Sequence, residues 1–464
     1  MRELLLDPGT NCWRVERAER AAFLIDGQAY FDALRASLKR ATRSIGILAW
    51  DIDSRVRLAH DDGDDGLPDT VGDFLNAVVA SHPDLHAYVL TWDFAMLYAF
   101  EREWLPVFKF DWRTHRRLHF HMDDKHPPGA SHHQKIVVVD DAVAFVGGFD
   151  LTRSRWDTPA HNPHDSRRVN PHGFSYAPFH DVQMIVDGEA AAALAQLVRE
   201  RWQRATGQEL GNADKDVGDC WPSEVHPDLT GVRVAIARTQ SAYAGVPEVR
   251  EVERLYVDAI AAAERYVYIE NQYLTSSAIG DALAARLEKA HGPEVVLVLP
   301  KSTAGWLEQT TMDVLRARML GRLRNADRHR RLRVYYPHIP DSGEEYLCVH
   351  GKVMVVDDAF VRVGSANLSN RSMALDSECD LAITANGEAR TGLAIRRFRE
   401  RLLGEHLSKS PATVAEALDA SNSLIGAIER LRHSPRTLRE LDGSVPPLLE
   451  QQIPQAAVID PERP

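Results

Sequence analysis

The stretch His133-Gln134-Lys135-Ile136-Val137-Val138-Val139-Asp140-Asp141 returns later in the chain as His350-Gly351-Lys352-Val353-Met354-Val355-Val356-Asp357-Asp358. The offset, 350 − 133 = 217, is the same for the lysine, the aspartate and a downstream glycine, Gly147 and Gly364. A repeat at fixed offset decides the architecture before any single element is read. In each copy His and Lys are two residues apart, so on a strand both side chains point to one face. A β-branched run, an Asp-Asp pair and a second apolar run (Ala142 to Val146; Ala359 to Val363) follow, which predicts a hairpin.

The repeat extends in both directions. Upstream, Tyr30, Phe31, Leu34, Leu38 and Ala41 share a helical face, as do Val252, Leu255, Tyr256, Ala259, Ile260 and Ala263. Each helix leads into a strand-like run, Ser44 to Trp50 and Tyr266 to Tyr273. Further strands are expected at His86 to Thr91 and Val295 to Leu299, then at Arg117 to Phe120 and Arg331 to Val334. Downstream, Gly188-Glu189-Ala190 and Gly387-Glu388-Ala389 open amphipathic helices at an offset of 387 − 188 = 199. The first half thus carries 217 − 199 = 18 extra residues, assigned to the loop from Thr158 to Pro178. Strands alternating with helices predict an α/β fold of two tandem repeats, each a mixed β-sheet flanked by helices. The expected divisions are a first half at 1–205, a connector at 206–231, a second half at 232–410, and a C-terminal helix with an extended Pro-rich tail at 411–464.

Two lysines and two histidines suit a phosphodiester. Lys135 and Lys352 supply fixed positive charge for phosphate oxygens. Of His133 and His350, one can attack phosphorus and the other protonate the leaving oxygen. No metal or other cofactor is required, because the cationic charge is already covalent to the chain. Asp140 and Asp357 lie five residues past their lysines, roughly 17 Å along a strand, so they are expected to fix the turn or pair at a distance. Gly147, Gly148 and Asp150 follow the first hairpin, and Gly364, Ser365 and Asn367 the second. Glycines would let the backbone approach a ligand, and the Asn367 amide could donate to a phosphate oxygen where Asp150 could not.

Composition narrows the partners. The net charge of −12 over 464 residues disfavours a nucleic-acid binder. No basic start followed by an apolar core reads as a signal peptide, and no run of ~18 apolar residues reads as a membrane span. A cytoplasmic protein, peripheral to a membrane, is expected. Four scattered cysteines read as reduced thiols. The histidines from His115 to His132, and His161, His164 and His172, match no metal-ligand spacing. Trp50 and Trp92 read as core residues. Trp306, in a loop-like setting, is the candidate lipid contact, and the Phe108/Phe110 pair could line an acyl groove. The basic run Arg316 to Arg333 reads as a solvated helix face.

These residues resemble the phospholipase D superfamily, whose signature is H-x-K-x4-D-x6-G-S-x-N in two copies. The second copy fits throughout, and the first departs at Gly148 and Asp150. That departure, with Arg155-Trp156-Asp157-Thr158-Pro159-Ala160-His161 and Tyr268-Ile269-Glu270-Asn271-Gln272-Tyr273, is similar to the wording of eukaryotic-type members. The likeness covers about Gly27 to Leu407, leaves no room for lipid-targeting modules, and suggests a minimal bacterial relative. It implies an active site where the halves meet, a phosphohistidine intermediate with the N-terminal histidine as nucleophile, and an acid orienting each histidine. The implied acid is Asp181 for His133 and Glu378 for His350, although the Gly-Glu-Ala anchor puts Asp380 opposite Asp181, since 181 + 199 = 380. The implied substrate is a phospholipid, with water or an alcohol as acceptor. A cardiolipin synthase-type transferase, a nuclease and a catalytically silent binding module are the alternatives.

Overall fold

The computed structural model of the chain describes residues 6–60, 65–93, 115–212, 218–302, 306–343, 346–443 and 460–461. The Phe108/Phe110 pair lies outside them. The first half contributes β1 (Arg14–Ile25), β2 (Ser44–Ala49), β3 (His86–Trp92), β4 (Leu118–Asp123), β5 (Ile136–Val139), β6 (Val143–Gly147), β7 (Phe179–His180) and β8 (Val182–Asp187). The second contributes β9 (Leu229–Gln240), β10 (Val249–Arg250), β11 (Tyr266–Glu270), β12 (Glu294–Val298), β13 (Leu332–His338), β14 (Cys348–Val349), β15 (Val353–Val356), β16 (Phe360–Gly364), β17 (Glu378–Thr384) and β18 (Thr437–Glu440).

The two halves share one sheet, ordered β18-β13-β12-β11-β15-β16-β17-β9-β1-β8-β6-β5-β2-β3-β4, with β10 paired to β9. Read outward from the β9/β1 seam, β17-β16-β15-β11-β12-β13 mirrors β8-β6-β5-β2-β3-β4. The seam is antiparallel, Arg14 opposite Ile236 through Ala21 opposite Leu229. Each half is antiparallel near the seam and parallel further out, and β18 closes the second half's edge antiparallel to β13. Helices cover both faces. Gly188–Thr206, Ala389–Leu407, Pro411–Ser421 and Leu424–Leu431 pack on one face in a core shared by both halves. Asp26–Leu38 and Val71–Ser81 cover the other face of the first half. Glu251–Ala262, Ser277–Leu287 and Trp306–Ala326 cover that of the second. Strands buried on both faces read as continuous β-branched runs, which is why Ile136–Val139 and Val353–Val356 are wholly buried.

The motif aspartates anchor the hairpins. Asp140 and Asp141 have φ of 52° and 55°, and Asp357 and Asp358 both have 52°, the left-handed central pair of turns that are closed by the Ala142 N–H on the Val139 carbonyl and the Ala359 N–H on the Val356 carbonyl. That backbone is unfavourable for a side chain with a Cβ. Hydrogen bonds offset the cost: the Asp140 carboxylate accepts from the backbone N–H groups of Thr42, Arg43 and Ser44 and from the Thr42 hydroxyl. Asp357 accepts from the N–H groups of Glu264, Arg265 and Tyr266. Each aspartate therefore pins the chain entering the neighbouring strand, at the hairpin end away from the His-Lys pair.

Several expectations need correction. After β8 the helix follows at once through Gly188 (φ 64°), whereas Asn386 (φ 45°) and Gly387 (φ 79°) make a turn between β17 and its helix. The true offset of these strands is set by Gly147 opposite Gln183 and Gly364 opposite Asp380, so 380 − 183 = 197 and the first half carries 217 − 197 = 20 extra residues. Trp306 begins a helix instead of standing in a loop. Within the basic run, Arg316 is buried and donates to the carbonyls of Pro300 and Lys301. The C-terminal helix is two helices, broken at Asn422 (φ 49°). The tail is not only surface chain: β18 extends the sheet beside β13, and buried Asp460 accepts from Thr275 Oγ1 and from the N–H groups of Asn370 and Arg371.

Candidate active site

The residues just before each His-Lys pair do not join their own half's sheet. They pair with the residues before the acid strand of the other half. β14 runs parallel to β7, with Cys348 opposite Phe179 and Val349 opposite His180. Its counterpart is a bridge between His132 and Ser377. The His350 N–H donates to the His180 carbonyl at 2.8 Å, and the His133 N–H to the Ser377 carbonyl at 2.9 Å. One residue further along, the acid and the histidine face each other across the seam.

This exchange reverses the expected pairing. His133 Nδ1 lies 3.0 Å from both carboxylate oxygens of Glu378. His350 Nδ1 lies 2.6 Å from Asp181 Oδ2. Each histidine thus takes its acid from the other half, because its backbone is bonded to that half's acid strand. Asp380 is not an orienting acid; it bonds Arg362 Nε at 2.7 Å in the core. It occupies the place of Gln183, which is the two-residue slip between anchor and strand.

An acid on Nδ1 fixes the tautomer and leaves Nε2 for chemistry. Lys135 Nζ donates to the His133 carbonyl at 3.0 Å and lies 3.2 Å from Asp150 Oδ2. Lys352 Nζ donates to the His350 carbonyl at 2.6 Å and sits 3.0 Å from His350 Nδ1. Burial pushes His133 well below the ordinary imidazole value, helped by Lys135 and then Lys352. Burial does the same to His350, helped by Lys352, Arg155, Lys135 and His133. Each histidine therefore feels the other half's lysine, as one shared site requires. Burial also raises Glu378 to about 7 against the pull of Lys135, and Asp181 to about 7 against that of Lys352. Burial lowers Lys352 to about 7. Burial that disfavours the charged form of Lys352 prepares the site for an incoming anion, which would restore that charge.

The glycines after each hairpin are crowded by the neighbouring strand. A Cβ on Gly148 would overlap the Asp181 carboxylate, and one on Gly364 would overlap Asp380. A Cβ on Gly147 would overlap Gln183 and the Val182 carbonyl. The three glycines make room for the neighbouring strand and its acid. The Ser365 hydroxyl donates to Glu378 Oε2 at 2.5 Å. Asp150 accepts from the Trp50 N–H at 2.9 Å and so ties the first hairpin to the end of β2. Asn367 keeps its side-chain oxygen buried with no partner.

Two residues near the histidines escaped the sequence reading. Trp50 sits edge-on to His133, ring centres 6.3 Å apart, and its ring is 6.0 Å from Lys135 Nζ. Its place at a strand end was the signal, but that place suits core packing equally. Arg155 lies over the Phe179 ring at 5.0 Å and acts on Asp181, His350 and Lys352. It adds a third cationic side chain. It opens the stretch Arg155 to His161 that resembles eukaryotic-type members, but that likeness gave it no role at the site.

A family model described as phospholipase D matches residues 112–285, and one described as cardiolipin synthase, PLD-like domain, matches 256–400. Phospholipase D1 of Schizosaccharomyces pombe is 26% identical over 376 residues, covering 60% of this chain and 27% of that protein. Phospholipase D A of Dictyostelium discoideum is 25% identical over 469 residues, covering 83% of this chain and 35% of that protein. Phospholipase D alpha 1 of Carica papaya is 26% identical, and 50% of its length is covered. The chain thus spans between about a quarter and a half of these relatives. Among solved structures, the phosphatidylserine synthase of Haemophilus influenzae shares the fold with a TM-score of 0.57 at 14% identity, covering 90% of this chain and 96% of that one. Among the described residues no helix is long and apolar enough to cross a membrane. With its duplicated His-Lys-Asp unit, its mirrored sheet and two matching domain models, the chain belongs to the phospholipase D superfamily.

Proposed function

We propose that the protein is a phosphodiesterase acting on glycerophospholipids, releasing the head group by hydrolysis or exchanging it for an alcohol. The observation that carries this reading is the pair of crossed dyads, His133–Glu378 and His350–Asp181, with Lys135 and Lys352 beside them. Two imidazoles with free Nε2 atoms and two ammonium groups match the needs of in-line displacement at a tetrahedral phosphate.

In the proposed sequence, His133 Nε2 attacks phosphorus and forms the P–N bond. The P–O bond to the head group breaks, and the departing oxygen takes a proton from His350 Nε2; His350 enters this step as the imidazolium, paired with Asp181 and with the bound phosphate anion, a charge that burial and the nearby cations oppose when that anion is absent. His350, now neutral, removes a proton from water or an alcohol. That oxygen attacks phosphorus, the P–N bond breaks, and His133 is regenerated. Lys135, Lys352 and the Asn367 amide would share the charge on the non-bridging oxygens. The carboxylate of Asp150 would favour a cation on His133 and so oppose its role as nucleophile. Its position against Lys135 weakens that objection, because the lysine takes up its charge. Burial and two lysines together keep His133 neutral at neutral pH.

The phosphatidyltransferase of cardiolipin synthesis is the second reading, favoured by the family model over residues 256–400. It uses the same chemistry with a lipid alcohol as acceptor. Both readings predict peripheral contact with a lipid surface. The test is to give purified protein mixed phospholipid vesicles, with and without a primary alcohol, and to follow the lipids by mass spectrometry. Phosphatidic acid, with the phosphatidyl-alcohol when alcohol is present, supports the first reading. Cardiolipin made from phosphatidylglycerol alone supports the second. An unchanged lipid pool, with cleavage of single- or double-stranded DNA instead, overturns both.

A further inference from the structure

A second cluster of ionisable groups lies directly behind the His350 dyad, and the reaction does not use it. Asp26, His161 and His180 are fully buried, and the Glu405 side chain is 7% exposed. They come from four separate segments: the first turn of the helix Asp26–Leu38, the long loop between β6 and β7, β7 itself, and the helix Ala389–Leu407 of the second half. One donor atom from each lies within 4.8 Å of all the others. His180 Nδ1 is 2.9 Å from Asp26 Oδ1 and 2.9 Å from Glu405 Oε1. His161 Nε2 is 3.0 Å from Glu405 Oε1 and 3.6 Å from Asp26 Oδ2.

Two further observations point to an occupant. Asp26 Oδ2 is wholly buried with no hydrogen-bond partner, and it faces this cluster. A buried carboxylate oxygen left without a partner is costly. Each histidine, moreover, turns one ring nitrogen inward and binds a second carboxylate with the other. His161 Nδ1 is 2.9 Å from Asp157 Oδ2, and His180 Nε2 is 2.8 Å from Glu270 Oε2. Those outer acids are themselves held, Asp157 by the Phe179 N–H and Arg168, and Glu270 by the Tyr268 hydroxyl and His406. Carboxylate, imidazole and an inward-facing nitrogen in series is the pattern by which proteins orient metal-bound histidines.

We propose that Asp26, His161, His180 and Glu405 bind one divalent transition-metal ion, zinc by donor type and spacing, in a closed structural site. Bonds of 2.0–2.1 Å in a tetrahedron put donors about 3.3 Å apart; four of the donor separations, with Oδ1 of Asp26 facing His180 and Oδ2 facing His161, run from 2.9 to 3.6 Å, and the whole set lies within 4.8 Å. Four protein donors leave no position for a reacting water, so the ion holds structure and does no chemistry. It would tie the second half's Glu405 to three elements of the first. It would also fix His180, whose carbonyl accepts from the His350 N–H and whose neighbour is Asp181. His180 and His161 are then positioning residues for the dyad. The competing occupant is a pair of protons, one on each imidazole, with the same total charge. Protons satisfy Glu405 and Asp26 Oδ1 but leave Asp26 Oδ2 without a partner, whereas an ion can bind it.

The test uses the full-length protein, purified without a histidine tag and dialysed against EDTA. Metal is measured by inductively coupled plasma mass spectrometry before and after unfolding in guanidinium with a chromophoric zinc chelator. The expected result is about one zinc per chain, retained through dialysis and released on unfolding. Refolding with cobalt should give the intense visible absorption of tetrahedral Co(II). His161→Gln and Asp26→Asn should lose the metal and melt at lower temperature, while His133→Ala keeps its full metal content. Because the cluster variants could fail to fold, the wild-type protein decides the matter. Folded wild-type chain with less than about a tenth of an equivalent of any transition metal, and no uptake on refolding with zinc or cobalt, overturns the proposal in favour of the two protons. These readouts do not depend on which lipid, if any, the enzyme cleaves.

Discussion

In the first half the residue after the hairpin glycine is Gly148 and the next polar position is Asp150; in the second half the matching residues are Ser365 and Asn367. The backbones around them mirror each other, yet the charge does not. Lys135 has a carboxylate 3.2 Å away, whereas Lys352 has the neutral Asn367 at the matching position in sequence, and burial lowers it to about 7 against the pull of Asp181. The acids differ as well. Glu378 receives the Ser365 hydroxyl, while Asp181 fills the space that Gly148 leaves and accepts from the Val182 N–H. Duplication built a symmetric frame, and the frame holds two unlike histidines, as a reaction with one nucleophile and one acid requires.

The largest effect should come from breaking either dyad. His133→Ala and His350→Ala should each cost on the order of 10³–10⁶ in turnover, and the double variant should be little worse. Phosphatidic acid release measures this, and one variant retaining more than about a tenth of the rate would sink the shared site. The lysines sharpen the comparison. Lys352→Met should cost about 10²–10³ in kcat/KM and Lys135→Met several-fold less, since Asp150 already offsets much of the Lys135 charge. Equal losses would mean that the asymmetry in charge has no consequence for binding phosphate.

The exchange between Gly148 and Ser365 should be unequal too. Gly148→Ser must displace the Asp181 carboxylate and should lower kcat about 10²-fold, whereas Ser365→Gly removes one hydrogen bond from Glu378 and should cost about tenfold. Circular dichroism would check that both variants fold. The smallest effect on turnover belongs to Asp140→Asn and Asp357→Asn. Each exchanges a carboxylate that gathers three backbone N–H groups for a side chain with one acceptor oxygen. Stability should fall by about 1–3 kcal/mol in denaturant titrations, with kcat nearly unchanged. A large fall in kcat at full stability would move these aspartates into the chemistry.

Much of this could be read from the chain. The repeat offset located both His-Lys pairs, and apolar periodicity located the helices and strands around them, because those signals are local. The crossing of the acids was not legible. Asp181 and Glu378 were found, but nothing near them in sequence says that residues 131–133 lie along 377–378 and residues 348–350 along 178–180. That pairing is between halves, and repeat logic alone assigns each histidine an acid from its own half. The two-residue turn at Asn386-Gly387 shifted the alignment and put Asp380 in view as a rival. The single sheet through β1 and β9 was equally hidden, since two separate sheets would show the same strand pattern. His161 was set aside as a metal ligand and His180 was not considered, because their partners, Asp26 and Glu405, lie far off in sequence.

The central claim, that two unlike histidines serve one phosphorus, is tested most directly by trapping the covalent intermediate. Enzyme is mixed with phospholipid carrying labelled phosphorus, quenched in denaturant at the alkaline pH that preserves phosphohistidine, digested under the same conditions and mapped by mass spectrometry. The account predicts label on the peptide containing His133 in the wild-type protein and accumulation of the same adduct in a His350 variant given a substrate whose leaving group needs no proton. Label on His350 instead would reverse the roles, and inversion of configuration at phosphorus would contradict the covalent mechanism itself.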